Sequence, residues 1–188
     1  SNHLALAGAE IIFNLSASDE LTGKHNYLMS LLQQQSARTI TGYVYASAGF
    51  GESTQDVVYG GNAIICENGS VIAKGQRFAM SEQLVTAQID IEKLRGDRRS
   101  NTTFTNAQRR MATEKINIID MHSACQRDFV LEREIDPTPF IPKSGEMKEK
   151  CDEILNIQAM GLVKRLTHTS CKRVVVGISG GLDSTLAL

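Results

Sequence analysis

The chain has 188 residues, 41% of them hydrophobic, with a formal net charge of −1. This is an ordinary soluble composition, long enough for one large or two small cores. It excludes a polybasic nucleic-acid surface, and no apolar run is long enough for a membrane span or arranged as a signal peptide. Cys66, Cys125, Cys151 and Cys171 are widely spaced without a CxxC, which reads as reduced cytoplasmic thiols. His3, His25, His122 and His168 make no metal-ligand spacing.

From the first residues, His3 to Ala7 reads as the end of a short helix closed by Gly8. Glu10 to Leu15, EIIFNL, predicts a buried strand, and the polar run Ser16 to Lys24 predicts the loop before a helix. On that helix Leu28, Leu31, Leu32, Gln35 and Thr39 share one face, and Gly42 is the expected stop. Tyr43 to Ala46 predicts a second strand, followed by the glycine-bracketed loop Gly49-Phe50-Gly51-Glu52-Ser53-Thr54. Asn62 to Cys66 and Ser70 to Ala73 predict a hairpin, with Asn68-Gly69 supplying the left-handed positions of its turn. Leu84 to Ile89 alternates as a last strand, and Ile91 to Arg98 predicts a short charged helix. Glu52 belongs to the run ESTQD, which reads as a turn-stabilising cluster shaping one wall of a site rather than as a catalytic base.

Beyond Thr105 the pattern weakens. Runs such as QRRMATEK and ERE are polar, Ile116 to Ile119 is a candidate strand, and Pro137, Pro139 and Pro142 cluster as in an extended linker. From Glu146 to His168, Cys151, Leu155, Ala159, Leu162 and Leu166 lie along one face of an amphipathic helix, expected to pack beside the strand that follows. Residues 1–104 therefore read as one domain, 105–144 as a linker and 145–188 as the start of a second domain.

That strand is Lys172 to Ile178, a nearly continuous β-branched run of the kind buried on both faces of a parallel sheet. Leu182 onward reads as a helix. Between them lies SGGLDS, whose two glycines can take positive φ and leave room for a ligand, so that successive backbone N–H groups converge on an anion. A Walker loop needs GxxxxGK[ST] and a dinucleotide fingerprint needs GxGxxG; this loop satisfies neither. A carboxylate beside a phosphate repels it unless a divalent cation lies between them, so Asp183 argues for Mg²⁺ on a pyrophosphate group. The plainer alternative is an ordinary glycine-rich turn with Asp183 and Ser184 in the first turn of a helix.

SGGLDS resembles the PP-loop of ATP pyrophosphatases. The resemblance implies adenylylation of a carboxyl or carbonyl oxygen with release of pyrophosphate, a reaction shared by NAD, asparagine and GMP synthetases and some tRNA-thiolating enzymes. Upstream, GAEIIFNLSAS, Gly23-Lys24, and Tyr43-Val44-Tyr45-Ala46-Ser47-Ala48-Gly49 with Gly51-Glu52-Ser53-Thr54 resemble the nitrilase-type glutaminase domain of glutamine-dependent NAD synthetases. The implied fold is α/β: the C-terminal part of a nitrilase-type α/β/β/α sandwich, followed by the start of a Rossmann-like parallel-sheet PP-loop domain. The asparagine and GMP enzymes use other glutaminase folds, so the two motifs together are more specific than either.

The resemblance implies roles residue by residue. Ser18 and Lys24 are the expected glutamine-binding residues, a hydroxyl for the α-amino or carboxylate group and a cation for the carboxylate. Some relatives carry arginine at the second position, and a lysine gives up the bidentate pairing. The plainer alternatives are a helix N-cap or turn residue for Ser18 and a solvated first-turn lysine for Lys24. Gly177, Ile178, Ser179, Gly180, Gly181, Leu182, Asp183 and Ser184 are implied to bind ATP, with Asp183 holding Mg²⁺. The implied partners are glutamine and deamido-NAD, with no nucleic acid and no membrane, in a cytoplasmic homo-oligomer.

The Cys, Glu and Lys of the family's glutaminase have no counterpart in the chain. It opens on Ser1-Asn2-His3 without a methionine and stops at Leu188 within the first two turns of the expected helix. It is therefore expected to be a piece of a longer polypeptide, with the nucleophile before Ser1 and the residues that recognise deamido-NAD after Leu188. Two rival readings stay open on the sequence: another PP-loop amidotransferase with a different carboxyl substrate, and a non-catalytic scaffold that binds glutamine or ATP.

Overall fold

The computed structural model describes residues 1–52, 56–111, 115–122, 130–142 and 145–188. They fall into two bodies, Ser1–Arg133 and Glu134–Leu188. Ser53 and Thr54 of the glycine-bracketed loop, Cys125, and residues 112–114, 123–129 and 143–144 of the expected linker lie outside the described residues.

In the first body, α1 (Asn2–Leu6) ends just before Gly8, which takes φ +114°, as expected of a glycine closing a helix. β1 (Ile11–Ser16) leads through a loop to α2 (Lys24–Thr39) and back to β2 (Gly42–Ser47), which pairs parallel to β1. β3 (Ala63–Glu67) and β4 (Ser70–Lys74) add antiparallel strands, giving a mixed sheet in the order β1-β2-β3-β4. Asn68 and Gly69 turn the β3–β4 hairpin with φ of 43° and 90°, the left-handed pair that an Asn-Gly step provides.

Register decides which side chains meet α2. The rows Ile12–Tyr43–Cys66 and Asn14–Tyr45–Ile64 share one face of the sheet. Their apolar members pack with Leu32 of α2 and Ala5 of α1 as the main core. Burial pushes the Cys66 thiol above its ordinary pKa, as for a small hydrophobic core group. The intervening residues Phe13 and Leu15 point to the opposite face, where they are 71% and 84% exposed. One sheet with helices is what the described residues contain; the second sheet of the expected sandwich is not among them.

Helix α2 stops two residues earlier than the glycine suggested. Ile40 takes the left-handed conformation (φ 49°, ψ 59°) that ends it, and Gly42 instead opens β2. A glycine is needed there for space: a Cβ on Gly42 would lie 2.7 Å from Ile89 Cδ1. Ser36 is fully buried on the inner face of α2 and donates to Thr41 O at 2.7 Å, so the α2–β2 turn is closed by a serine beside the predicted apolar stripe.

Leu84 to Ile89 does not form the last strand that its alternation predicted, because it finds no ladder partner among the described residues. Its end is used for packing: Ile89 joins a second core of Ile40, Leu94 and Phe104. Asp90 then caps α3 (Ile91–Ser100), its side chain accepting from Lys93 N at 2.9 Å. Arg98, in the last turn of α3, is buried, donating to the carbonyls of Ile40, Ala9 and Thr39 at 2.9, 2.7 and 3.2 Å and lying over the Phe104 ring. α4 (Thr102–Met111) crosses the expected 104/105 boundary and buries Phe104. Ile116 to Ile119 forms no strand; Ile118 and Ile119 are exposed. Farther on, Arg133 makes a two-pronged ion pair with the buried carboxylate of Glu67, at 2.7 and 2.8 Å.

The second body contains α5 (Met147–His168) and α6 (Leu182–Leu186). The α5 stripe predicted from Cys151, Leu155, Ala159, Leu162 and Leu166 buries no residue in this body. Residues 172–178 are not a strand, and Val175 is 97% exposed. A β-branched run has strand propensity only where neighbours supply its hydrogen bonds and cover, and none lies against it among the described residues. No helix among the described residues is long and apolar enough to cross a membrane.

Candidate functional site

A cavity of about 280 Å³ lies between the sheet face of Asn14, Ser16, Tyr43 and Tyr45 on the parallel pair β1 and β2 and the length of α2 from Lys24 to Gln35, with the loop after β1 in its wall. Ends of parallel strands joined by a crossover helix are where ligands enter open α/β sheets. Ser18 and Lys24 both line it. The connection holding them is pinned at both ends, by Ala48 N donating to Ser16 O at 2.9 Å and by Glu20 N donating to Val58 O at 2.7 Å.

Ser18 is half-buried and does not cap α2; that position is taken by Gly23 with φ 83°. Lys24 is not a freely solvated first-turn lysine either. Its Nζ donates to Asp19 O at 2.6 Å and to Asp19 Oδ1 at 2.8 Å, which fixes the ammonium at the cavity. An ammonium has three donors, so one N–H is left over from these two bonds. The Lys24 ammonium holds the Asp19 carboxyl below its usual range by hydrogen bond and charge. The pair is thus intact at neutral pH and is lost as pH falls through that lowered pKa.

The wall facing this pair is polar as well. Asn14 Nδ2 donates to the Tyr43 hydroxyl at 3.1 Å, and both line the cavity. Glu20 and Asn62 also line it, joined by Asn62 Nδ2 to Glu20 Oε1 at 2.5 Å. None of these four was singled out from sequence. Asn14 lies mid-strand and Tyr43 within an apolar run, while Glu20 and Asn62 lie in what read as loop or strand edge. Only the pairing of distant segments brings them together. Glu52 is exposed and is not among the residues lining the cavity.

In the second body, the loop before α6 has a defined shape. Gly180 takes φ +84°, but Gly181 is extended at φ −87°, so only one of the two glycines uses its freedom. Ser184 Oγ accepts from Ser179 N at 3.2 Å and donates to Gly181 O at 3.0 Å, tying Ser179 to the first turn. A Cβ at Gly177 or Gly180 would meet nothing within 4 Å, so the loop backbone is open to an approaching ligand. Asp183 lies in the first turn of α6, and among the described residues no group of three His, Cys, Asp or Glu could hold a metal. A single hard carboxylate fits the way Mg²⁺ is bound, through one or two carboxylates and the substrate's phosphates rather than by an all-protein cage.

Comparison with known proteins adds four findings. The carbon-nitrogen hydrolase family profile matches residues 1–99. A glutamine-dependent NAD(+) synthetase of Mycobacterium bovis is 40% identical across the whole of this chain, which spans 28% of that protein's length. One of Homo sapiens is 28% identical over 96% of the chain and 25% of its own length. A solved glutamine-dependent NAD(+) synthetase from Cytophaga hutchinsonii aligns at 27% identity and a TM-score of 0.41, covering 44% of this chain and 14% of that one.

Proposed function

The chain belongs to the carbon-nitrogen hydrolase family and is homologous to glutamine-dependent NAD(+) synthetases, and on that premise we propose that it serves glutamine-dependent NAD synthesis as part of a longer, cytoplasmic, homo-oligomeric enzyme. Residues 1–104 are then the C-terminal part of a nitrilase-type glutaminase domain, 105–144 a linker, and 145–188 the start of an ATP-binding PP-loop domain. The exposed face of β1 that carries Phe13 and Leu15 is where the sandwich's other sheet would pack.

The observation that carries this reading is the meeting of Ser18 and Lys24 on one cavity, in the loop that leaves the C-terminal end of β1 and at the start of the crossover helix α2. In the proposal Lys24, steadied by Asp19, pairs with the substrate glutamine's carboxylate, and the Ser18 hydroxyl adds a hydrogen bond. The glutaminase nucleophile, base and oxyanion-stabilising lysine come from a segment preceding Ser1, and ammonia moves internally to the second domain.

In the second domain the open backbone at Gly177 and Gly180 supports room for the phosphates of ATP, with Ile178, Ser179, Gly181, Leu182 and Ser184 completing the loop. Asp183 would hold Mg²⁺, whose positive charge would favour departure of the pyrophosphate. A resonance-stabilised carboxylate is a poor acyl donor, so the nicotinate carboxylate of deamido-NAD is first joined to AMP. Ammonia then displaces AMP as the leaving group.

Ser18→Ala and Lys24→Ala in the full-length enzyme test this reading. Each should raise the KM for glutamine by roughly tenfold or more, as expected when a charge-assisted or polar substrate contact is removed. NAD formation from ammonium, which bypasses the first domain, should stay near wild type. Equal losses with both nitrogen sources would make the two residues structural and remove the proposal's support.

A further inference from the structure

The β3–β4 turn is built on an Asn-Gly step, and the fold allows little else there. Gly69 takes φ +90°, and a Cβ on it would lie 3.0 Å from Ala37 Cβ on α2. Asn68 takes φ 43°, which its short amide side chain tolerates better than most. Such a step is chemically reactive. With no Cβ on Gly69 to hinder it, the Gly69 nitrogen can attack the Asn68 side-chain carbonyl carbon. The N–C bond that forms closes a five-membered succinimide, and the side-chain nitrogen leaves as ammonia, taking up the proton that the Gly69 nitrogen gives up. Water then opens the ring at either carbonyl, to aspartate or isoaspartate.

Both reacting groups are held elsewhere. Asn68 is exposed, yet its Nδ2 donates to Asp97 Oδ2 of α3 at 3.1 Å, and because a carboxylate only accepts, that bond fixes the amide's orientation. The attacking Gly69 N–H donates to the Oγ of the buried Ser36 at 3.3 Å. Around them Gly69 O accepts from Gln33 Nε2 at 3.2 Å, and Asn68 N donates to Thr41 O at 3.2 Å. The carboxamide must leave Asp97 and the Gly69 nitrogen must leave Ser36 before the two can meet. A hairpin turn alone needs none of the three side-chain bonds, since an Asn-Gly step closes it through backbone geometry.

We propose that Asn68 is a deamidation site that Asp97 and Ser36 hold closed in the folded chain, and that its modification releases the β3–β4 hairpin from α3. The aspartate product puts a second carboxylate where Asp97 now accepts a hydrogen bond, so an attraction becomes a repulsion between like charges. Neither step depends on glutamine or ATP chemistry.

The test follows deamidation of Asn68 by peptide mass spectrometry in the full-length protein at neutral pH, beside a synthetic peptide of residues 64–74 that has the step without the fold. The full-length protein should deamidate at least about tenfold more slowly than the peptide, and Asp97→Ala should raise its rate by about tenfold, the scale of one hydrogen bond to a charged group. Asn68→Asp, which mimics the product, should speed deuterium exchange of the β4 amides by about tenfold, and adding Asp97→Asn should restore it, because a carboxamide again faces a carboxylate. A full-length protein as fast as the peptide, or Asp97→Ala as slow as wild type, overturns the assignment. So does acceleration by Asp97→Ala matched by faster exchange along β1 and β2, since the whole body would then have opened. Wild-type exchange in Asn68→Asp overturns the release of the hairpin.

Discussion

Gly180→Val is expected to abolish ATP-dependent AMP formation with glutamine and ammonium alike, while glutamine hydrolysis continues at least at a basal rate. Gly180 takes φ +84°, where a β-branched residue is strained, and the open space beside it is where the loop backbone must be approached. Asp183→Asn should reach a similar end by another route. It keeps the shape of the first turn of α6 but removes the charge that would hold Mg²⁺, and a fall of about 10²–10³-fold is the scale for losing one electrostatic group at a reacting centre. Gly181→Val is a contrast within the loop. Its φ of −87° accepts any residue and a Cβ would meet only Ser179 Oγ at 3.6 Å, so any loss there reports crowding of the ligand and not backbone strain. Chromatographic measurement of AMP decides between them, and wild-type AMP formation by either Gly180→Val or Asp183→Asn would show that the loop is a structural turn.

Arg98→Met should loosen the first body more than any change at its surface. The guanidinium is buried and caps three carbonyls, two of them at the end of α2, with Phe104 against its face. Methionine keeps an unbranched apolar stem but leaves those acceptors without donors, a loss of about 3 kcal/mol on the scale of hydrogen bonds to charged groups. The amides of Thr41 and Gly42, which donate to Ser36 O and Glu10 O in that turn, would exchange with deuterium on the order of a hundredfold faster. Unchanged exchange at these amides would mean that water replaces Arg98 without penalty.

The first body was largely legible because its signals are local. The apolar run EIIFNL, the run Tyr43 to Ala46 and the Asn68-Gly69 step each specify an element from a few neighbouring residues, and β1, β2 and the β3–β4 hairpin lie within a residue or two of expectation. What sequence misassigned depends on distant partners. Gly42 read as a helix stop, but its lack of a Cβ serves the packing of Ile89. Leu84 to Ile89 and Lys172 to Ile178 have strand composition without a strand's neighbours. In the cavity, Ser18 and Lys24 stood out through the motifs around them. Glu20 and Asn62 did not, because their relation exists only once the loop after β1 meets the start of β3, with Arg77 behind them.

The most direct measurement supplies the full-length protein with deamido-NAD, ATP, Mg²⁺ and glutamine labelled with ¹⁵N in its side-chain amide. The account predicts ¹⁵N in the carboxamide of the NAD formed, with AMP and pyrophosphate appearing in equal amounts. Hydrolysis of glutamine without labelled NAD, or consumption of ATP with no amide formed from deamido-NAD, would contradict it.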